Sequence, residues 1–238
     1  MTDVVILCAG QGKRLKPLTI DKPKPMIDVG GKPIIHWIFD ALKDFNIERY
    51  IVVTGYRSNI LESYIKTYID LPVIFQRQYE YSGTSDAIAL VEDLVSNDFI
   101  VLAGDTIFLK EDLEKLYKVP NSLLYTKQTE RLHEYGTLCL DDIKYDYSSI
   151  LHIFEKDTKP ISNYVNCSAY HFDKRIFKFI KETPIDNRFR EKIITNSINL
   201  FIDADNMFKG IYIEKLLEIT YPKDIKIVEK ELCERKLL

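Results

Sequence analysis

Residues 7–26, "LCAGQGKRLKPLTIDKPKPM", follow a short apolar run at the start of the chain. The segment "DVVILCA", residues 3–9, overlaps their start; it is continuously apolar after Asp3 and begins with β-branched residues, which predicts a buried strand. The stretch itself holds two glycines, three prolines and five cationic side chains. In an open α/β sheet, the loop after the first strand lies at the edge where ligands bind. The stretch therefore predicts an α/β sheet whose first loop binds a polyphosphate.

The glycines of this loop do not fit the two best-known phosphate-binding motifs. Gly10 and Gly12 let backbone N–H groups approach phosphate oxygens. Neither Gly-Lys pair of the chain has the upstream glycine of a Walker A loop. Leu15 stands where the dinucleotide-binding fingerprint has its third glycine. The loop therefore belongs to another class of phosphate-binding loop.

Composition limits the class of protein. The chain has 238 residues, 46% of them hydrophobic, and a net charge of −3, which is typical of a globular protein and unlike a nucleic-acid-coating one. No apolar stretch approaches the roughly 20 residues that span a bilayer, and the four cysteines lie far apart. We therefore expect a cytoplasmic protein that binds neither nucleic acid nor membrane. The sequence leaves open whether the chain forms a homo-oligomer.

The order of the apolar runs predicts a Rossmann-like α/β fold in a single domain, residues 1–238. In the first half, up to about residue 118, strands alternate with helices, which favours a mostly parallel sheet with helices on both faces. One of these helices covers residues 83–95, with Thr84 or Ser85 as its N-cap. In the second half, from about 119 to 238, four strand-like runs predict a smaller antiparallel or mixed layer, and helices return with one over residues 188–202.

A longer pattern around the first loop resembles a known signature. "GQGKRL" at residues 10–15, "PLT" at 17–19 and "PKP" at 23–25 are in register with the signature of the sugar-1-phosphate nucleotidylyltransferases. Lys13 departs from it, because the family usually has Thr or Ser there. The resemblance implies the Rossmann-like fold of glucose-1-phosphate thymidylyl- and uridylyltransferases, with a second layer that binds the sugar.

The resemblance assigns a nucleotide site to the first half. Arg14 is expected to bind the β- and γ-phosphates and Lys24 the reacting phosphate, both as catalytic residues. The segment "QYEYSGTSDAI" starts at Gln78, whose amide donor and acceptor suit the edge of uracil or thymine, so UTP or dTTP is favoured. An exposed polar face shared with Gln76 is the alternative. The full set of expected nucleotide-binding residues is Leu7, Ala9, Gly10, Gly12, Lys13, Gln78, Gly83 and Thr84.

The second half carries the segments that resemble the family's sugar site. "EYGTL" contains Gly136, and "FEKDTKP" and the strand after it contain Glu155, Lys156 and Asn166, with Lys156 expected on the sugar phosphate. Glucose 1-phosphate is the favoured sugar. Ser168 stands where relatives have glycine, and is expected to narrow the sugar pocket or add a hydroxyl contact.

Two carboxylates are expected to bind Mg²⁺. Asp105 ends the strand-like run "FIVLAGD", which places its carboxylate at the carboxyl end of a strand. Glu218 begins "EITYPKD", where the family usually has Asp. Its extra methylene moves the carboxylate by about one bond, which a metal shell that includes waters absorbs.

The implied reaction joins a nucleoside triphosphate to a sugar 1-phosphate and releases pyrophosphate. One alternative is a CTP-dependent cytidylyltransferase acting on a phospho-alcohol such as phosphocholine, which would need an aromatic cage. Another is a catalytically inactive, regulatory nucleotide-binding subunit. The presence of Arg14, Lys24 and Asp105 favours an enzyme.

Overall fold

The computed structural model describes residues 2–96, 98–144 and 147–238. Its strands are β1 (Thr2–Cys8), β2 (Asp28–Val29), β3 (Lys32–Pro33), β4 (Ile47–Thr54), β5 (Val73–Arg77), β6 (Asp98–Ala103), β7 (Thr106–Ile107), β8 (Ser122–Lys127), β9 (Gly136–Lys144), β10 (Tyr147–Glu155), β11 (Tyr164–Asp173), β12 (Lys209–Tyr212) and β13 (Leu217–Glu218). Its α-helices are α1 (Ile34–Leu42), α2 (Ser58–Tyr68), α3 (Thr84–Ala89), α4 (Lys110–Tyr117), α5 (Ile176–Glu182), α6 (Ile194–Asp203) and α7 (Pro222–Glu234).

Nine of these strands form one mixed sheet in the order β5-β4-β1-β6-β11-β8-β12-β10-β9. The first four run parallel, as the alternation of strands and helices predicts. The strands of the second half continue the same sheet, and β11 pairs antiparallel with β6, β8 and β9. The predicted α/β fold, with a parallel part and an antiparallel extension, is confirmed.

Helices cover both faces of the sheet because successive side chains of a strand point to opposite faces. In β1, Val4 and Ile6 pack in the core cluster that includes residues of α1, α2, α4 and α7. Val5 packs in the other cluster, together with residues of α3, α5 and α6. All three valine and isoleucine side chains are fully buried. The continuous apolar run of β1 therefore follows from burial on both faces.

Three local expectations differ from the structure, and one strand pairing was not predicted. The helix predicted over residues 83–95 forms α3 only over Thr84–Ala89. The helix predicted from residue 188 begins only at Ile194, the start of α6. The Oγ1 of Thr84 accepts a hydrogen bond from the backbone N–H of Ile194, and the Oγ of Ser85 is hydrogen-bonded to that of Ser197, so neither side chain caps α3. The pairing of β13 with β7, which sets Glu218 opposite Thr106, has no counterpart in the sequence interpretation.

Two properties of the chain bear on its general class. All four cysteines are free thiols, in keeping with their wide spacing in the sequence. Within the described ranges, no helix is both long enough and apolar enough to cross a bilayer.

A buried carboxylate fixes β1 to its neighbours. Asp3 is fully buried and accepts hydrogen bonds from Arg49 Nε at 2.9 Å and Nη2 at 3.1 Å. The backbone N and the Oγ of Ser96 also donate to it, at 2.5 and 2.7 Å. Burial raises the pKa of Asp3, but the hydrogen bonds from Arg49 and Ser96 outweigh this and lower it below its usual value. The carboxylate is therefore ionised in the folded protein at neutral pH.

We predict that Asp3→Asn lowers the free energy of unfolding at pH 7 by about 2–4 kcal/mol, because it leaves Arg49 and the Ser96 donors without their anion. The folded pKa is the lower one, so the stabilisation is present above the unfolded pKa of about 3.9 and is lost as the pH falls through the folded pKa. Urea unfolding at pH 7 and at lower pH measures both effects.

The matched control is Asp44→Asn, which removes an exposed ion pair with Lys110 of 2.6 Å. We expect little change in stability from it, because exposed pairs contribute little. A difference between wild type and Asp3→Asn that stays constant from pH 7 down to pH 3 would contradict the role of the Asp3 charge.

Candidate active site

One cavity of about 670 Å³ brings together every site residue that the sequence predicted. It opens beside the ends of β1 and β6 and is lined by segments from both halves of the chain. The predicted residues that line it are Leu7, Ala9, Gly10, Gly12, Lys13, Arg14, Lys24, Gln78, Gly83, Thr84, Asp105, Gly136, Glu155, Lys156, Asn166 and Glu218. Their common location is an observation, and the role of each stays a prediction.

The first loop needs glycine at position 12. Gly12 has a φ of +61°, in the left-handed region, and its carbonyl accepts a hydrogen bond of 2.8 Å from Thr19 Oγ1. A Cβ atom at this position would lie 3.0 Å from Thr19 Cγ2 and 3.1 Å from Lys24 Cβ. The glycine therefore lets the loop pack directly against Thr19 and Lys24, which sets the position of Lys24 in the cavity.

Lys24 and Asp105 form an ion pair in the cavity, with 2.5 Å between Nζ and Oδ2. Burial raises the pKa of Asp105, but the charge of the Lys24 ammonium and its hydrogen bond lower the pKa by more, so the net shift is downward. Glu218 reaches the same place because β13 pairs with β7, directly after Asp105. Burial, and then the negative charge of Asp105, raise the pKa of Glu218. The two carboxylates are thus close enough to repel each other.

This pair of carboxylates fits a magnesium site completed by substrate. Mg²⁺ is commonly held by one or two carboxylates together with substrate phosphates and waters. Among residues 2–96, 98–144 and 147–238, no group of three or more His, Cys, Asp or Glu side chains has the arrangement of a metal site. A divalent cation between Asp105 and Glu218 would relieve their repulsion, so the chemistry of the donor pair fits the ion.

Arg14 is held by two residues that the sequence interpretation missed. Its Nη1 donates to Glu134 Oε2 at 2.8 Å, and its guanidinium lies 5.5 Å from the centre of the Tyr221 ring. Glu134 precedes β9, and Tyr221 precedes α7, so both belong to the second half of the chain. Both lie in segments that were quoted for the resemblance, "EYGTL" and "EITYPKD", but no role was predicted for either residue.

The sugar-site candidates form a second charged group. Glu155 accepts a hydrogen bond of 3.0 Å from Thr195 Oγ1 and lies 3.5 Å from the ammonium of Lys156. That ammonium also lies 5.5 Å from the centre of the Phe189 ring. Thr195 and Phe189 both line the cavity and were not predicted as site residues. Phe189 lies in the segment before α6, which was interpreted as helix. An acceptor and a cation beside each other can bind a sugar hydroxyl and a phosphate.

Ser168 occupies a left-handed backbone position in the cavity wall. Its φ is +55°, and its backbone N–H donates to Asn166 Oδ1 at 2.9 Å. The amide of Asn166 in turn donates to the hydroxyl of Tyr170 at 2.7 Å. The register between β11 and β8 shifts across these residues, so the strand bulges at Ser168. A positive φ explains why glycine suits this position in the family that the chain resembles.

Gln78 lies inside the structure, so the alternative of an exposed polar face is wrong. It is 8% exposed, its backbone N–H donates to Thr54 O, and its Nε2 donates to Gly83 O at 3.2 Å. Gly83 has a φ of +115°, and a Cβ there would clash with the carbonyl oxygen of Lys192. The amide of Gln78 keeps an acceptor and a second donor beside the cavity.

The family model for nucleotidyl transferases matches residues 3–212. The chain belongs to the nucleotidyl transferase family. The resemblance to sugar-1-phosphate nucleotidylyltransferases, seen first in residues 10–25, is thereby confirmed for the chain as a whole.

Named relatives of this nucleotidyl transferase span several activities. It is 34% identical to the bifunctional protein GlmU of Methanocaldococcus jannaschii over 98% of the chain, and spans 55% of that protein's length. It is also 34% identical to the UTP–glucose-1-phosphate uridylyltransferase AglF of Haloferax volcanii, covering 97% of the chain and 96% of AglF. A solved UDP-glucose pyrophosphorylase in complex with UDP-glucose has a TM-score of 0.85 at 18% identity, covering 99% of both chains, which supports the fold.

We predict that Ser168→Gly is close to neutral for stability and broadens the range of accepted sugars. Relief of a left-handed serine is offset by the greater chain entropy of glycine, each about 1 kcal/mol. Thermal unfolding and pyrophosphate release with a panel of sugar 1-phosphates measure the two effects.

The control for this variant is Ser63→Gly on the exposed side of α2, which should lower stability by about 0.5 kcal/mol because its backbone is helical. An unchanged sugar range in Ser168→Gly would show that the serine does not narrow the site, and a strong loss of stability would contradict the expected offset.

Proposed function

We propose that the chain transfers a uridylyl or thymidylyl group from UTP or dTTP to glucose 1-phosphate, giving the nucleotide sugar and pyrophosphate. The observation that carries this proposal is that one cavity joins the Lys24–Asp105 pair and Gln78 of the first half to Glu155 and Lys156 of the second. A binding protein for a single small anion would have no need for cations supplied by both halves.

In the proposed reaction, an oxygen of the sugar phosphate attacks the α-phosphorus of the triphosphate. The new P–O bond forms as the bond to the β-phosphate oxygen breaks, and pyrophosphate takes the electron pair. A phosphate monoester has its second pKa near about 6, so the nucleophile is already an anion and no general base is required. The protein's task is to align two polyanions and to neutralise their charge.

Three cations are available for that task. Lys24 lies in the cavity with its side chain 12% exposed, where a point charge beside the reacting phosphate is weakly screened. Arg14 can meet two phosphate oxygens with its planar fork, and Lys156 can meet the sugar phosphate. Asp105 and Glu218 would hold Mg²⁺, which supplies further charge neutralisation when bound.

The base is proposed from Gln78 and from one relative. The buried amide offers a donor and an acceptor together, the pattern that matches O4 and N3–H of uracil or thymine. AglF, which matches 97% of the chain, is named as a UTP–glucose-1-phosphate uridylyltransferase. A guanylyltransferase of heptose 1-phosphate from Campylobacter jejuni is 31% identical over 73% of the chain, so base and sugar differ among relatives.

The direct test is a pyrophosphate-release screen. UTP, dTTP, CTP, ATP and GTP are each combined with glucose 1-phosphate, other sugar 1-phosphates and phosphocholine in magnesium buffer. We expect the highest kcat/KM with UTP or dTTP and glucose 1-phosphate. Activity with CTP and phosphocholine would support the cytidylyltransferase alternative, and triphosphate binding without turnover on any acceptor would support the regulatory one.

We predict that Gln78→Ala narrows the preference for UTP or dTTP over CTP. The lost amide bonds would be worth about 1–3 kcal/mol of discrimination in a buried site, or about 5- to 150-fold in the ratio of kcat/KM values. Gln76→Ala, on the neighbouring β5, is the control and should leave that ratio unchanged. An unchanged ratio in Gln78→Ala would remove this residue from base recognition.

We predict that Asp105→Asn lowers turnover in magnesium buffer by at least about 100-fold, because a lost metal ligand removes several kcal/mol of charge stabilisation. Asp44→Asn removes an equally short lysine pair outside the cavity and should keep wild-type turnover. Near wild-type turnover of Asp105→Asn would show that the magnesium assignment is wrong.

A further inference from the structure

The guanidinium of Arg14 is fixed by a carboxylate of the other half of the chain. Among the residues that the structure describes, Glu134 is the one hydrogen-bond partner of the Arg14 side chain, with 2.8 Å between Nη1 and Oε2. The side chain of Arg14 is 50% exposed, whereas that of Glu134 is 17% exposed. A guanidinium has five N–H donors in a rigid fork, so this contact leaves most of the fork available to an anion.

Glu134 is held in place independently of Arg14. The hydroxyl of Tyr221 lies 3.1 Å from each of its two carboxylate oxygens and donates a hydrogen bond to the carboxylate. The backbone N–H of Tyr221 in turn donates to Asp224 Oδ2 at 2.8 Å, in the capping box of α7. Arg131 pairs with Asp224 at 3.4 Å, and its guanidinium lies 5.2 Å from the Tyr221 ring centre. The Glu134 carboxylate is therefore hydrogen-bonded to the N-terminal end of α7 through Tyr221.

This support decides between two ways in which a glutamate can act on a phosphate-binding arginine. A mobile glutamate would compete with the phosphates and leave Arg14 when they bind. Glu134 is mostly buried and bonded to Tyr221, so releasing Arg14 would leave its carboxylate with a single hydrogen-bond donor among the described residues, the neutral hydroxyl of Tyr221. Keeping the pair retains a negative charge near the phosphates, but it avoids that loss and fixes a side chain that otherwise loses about 2 kcal/mol of rotamer entropy on binding.

We propose that Glu134 is a positioning residue for Arg14, holding one edge of the guanidinium so that its remaining donors bind the β- and γ-phosphates. This inference rests on the proposed function. It makes triphosphate binding dependent on the second half of the chain, through Glu134 and the Tyr221 hydroxyl.

The test compares UTP with UMP by calorimetric titration in magnesium buffer. UMP lacks the β- and γ-phosphates, so a loss of Arg14 positioning should weaken the binding of UTP but not that of UMP. We expect Glu134→Ala to raise the Kd of UTP by about tenfold or more, as for a lost charged hydrogen bond, and that of UMP by less than about twofold. Glu134→Gln keeps an oxygen acceptor for Arg14 and should stay within about threefold of wild type.

Two further variants keep the test sharp. Tyr221→Phe retains the ring beside Arg14 and removes only the hydroxyl that holds Glu134, so it should weaken UTP less than Glu134→Ala does, and leave UMP unchanged. Glu92→Ala breaks a 2.7 Å ion pair with Lys181 outside the cavity and should bind both nucleotides as wild type does. It controls for the change in net charge.

Each other outcome has a definite meaning. Tighter UTP binding by both Glu134→Ala and Glu134→Gln would show a competitor and overturn the positioning role. Unchanged UTP binding, or equal weakening of UTP and UMP binding, would also overturn the positioning role. The proposed function would still stand if the wild-type protein turned over its substrates in the pyrophosphate-release screen. If wild type binds another triphosphate instead, the same comparison is made with that triphosphate and its monophosphate. A wild type that binds none of the five would overturn both proposals.

Discussion

The ion pair between Lys24 and Asp105 is the interaction around which the cavity is arranged. It joins the loop after β1 to the end of β6, two neighbouring parallel strands whose carboxyl ends meet at one edge of the sheet. The two charges compensate each other at partly buried positions in the cavity wall. A phosphate that forms an ion pair with Lys24 therefore removes the cation that balances the charge of Asp105. Binding of the polyanion and of a divalent cation near Asp105 are thus expected to be mutually favourable.

The parts of this arrangement that depend on local sequence could be predicted. A continuous apolar run predicts a strand buried on both faces, and the residue that ends it must lie at the sheet edge, which placed Gly10 and Asp105 correctly. Glu218 is different. It reaches Asp105 through a pairing of two two-residue strands, β7 and β13, whose residues carry no pattern of their own. Only the resemblance to a family pointed to this carboxylate.

The segment before α6 shows how tertiary contacts override a helical pattern. Its apolar spacing continues that of α6, but the backbone of Lys192 is already used by the other half of the chain. Its N–H donates to Ser82 O at 2.8 Å, and its carbonyl accepts from Ser85 N at 3.0 Å. Those bonds hold residues 191–193 outside a helix beside the start of α3, after a turn over residues 187–190. Phe189 consequently reaches the cavity beside Lys156, where a helix was expected to begin.

The division of the chain into a nucleotide half and a sugar half describes the order of segments along the sequence better than it describes the contacts within the candidate site. Glu155 and Lys156 are held within the second half, by Thr195 and Phe189. Arg14 belongs to the first half but donates its hydrogen bond to Glu134 of the second, and Glu134 accepts another from Tyr221, the residue before α7. The support is therefore asymmetric, because the second half contacts a side chain that we propose binds the triphosphate. A substitution before β9 or α7 would act on the nucleotide although it lies in the part of the sequence expected to bind the sugar.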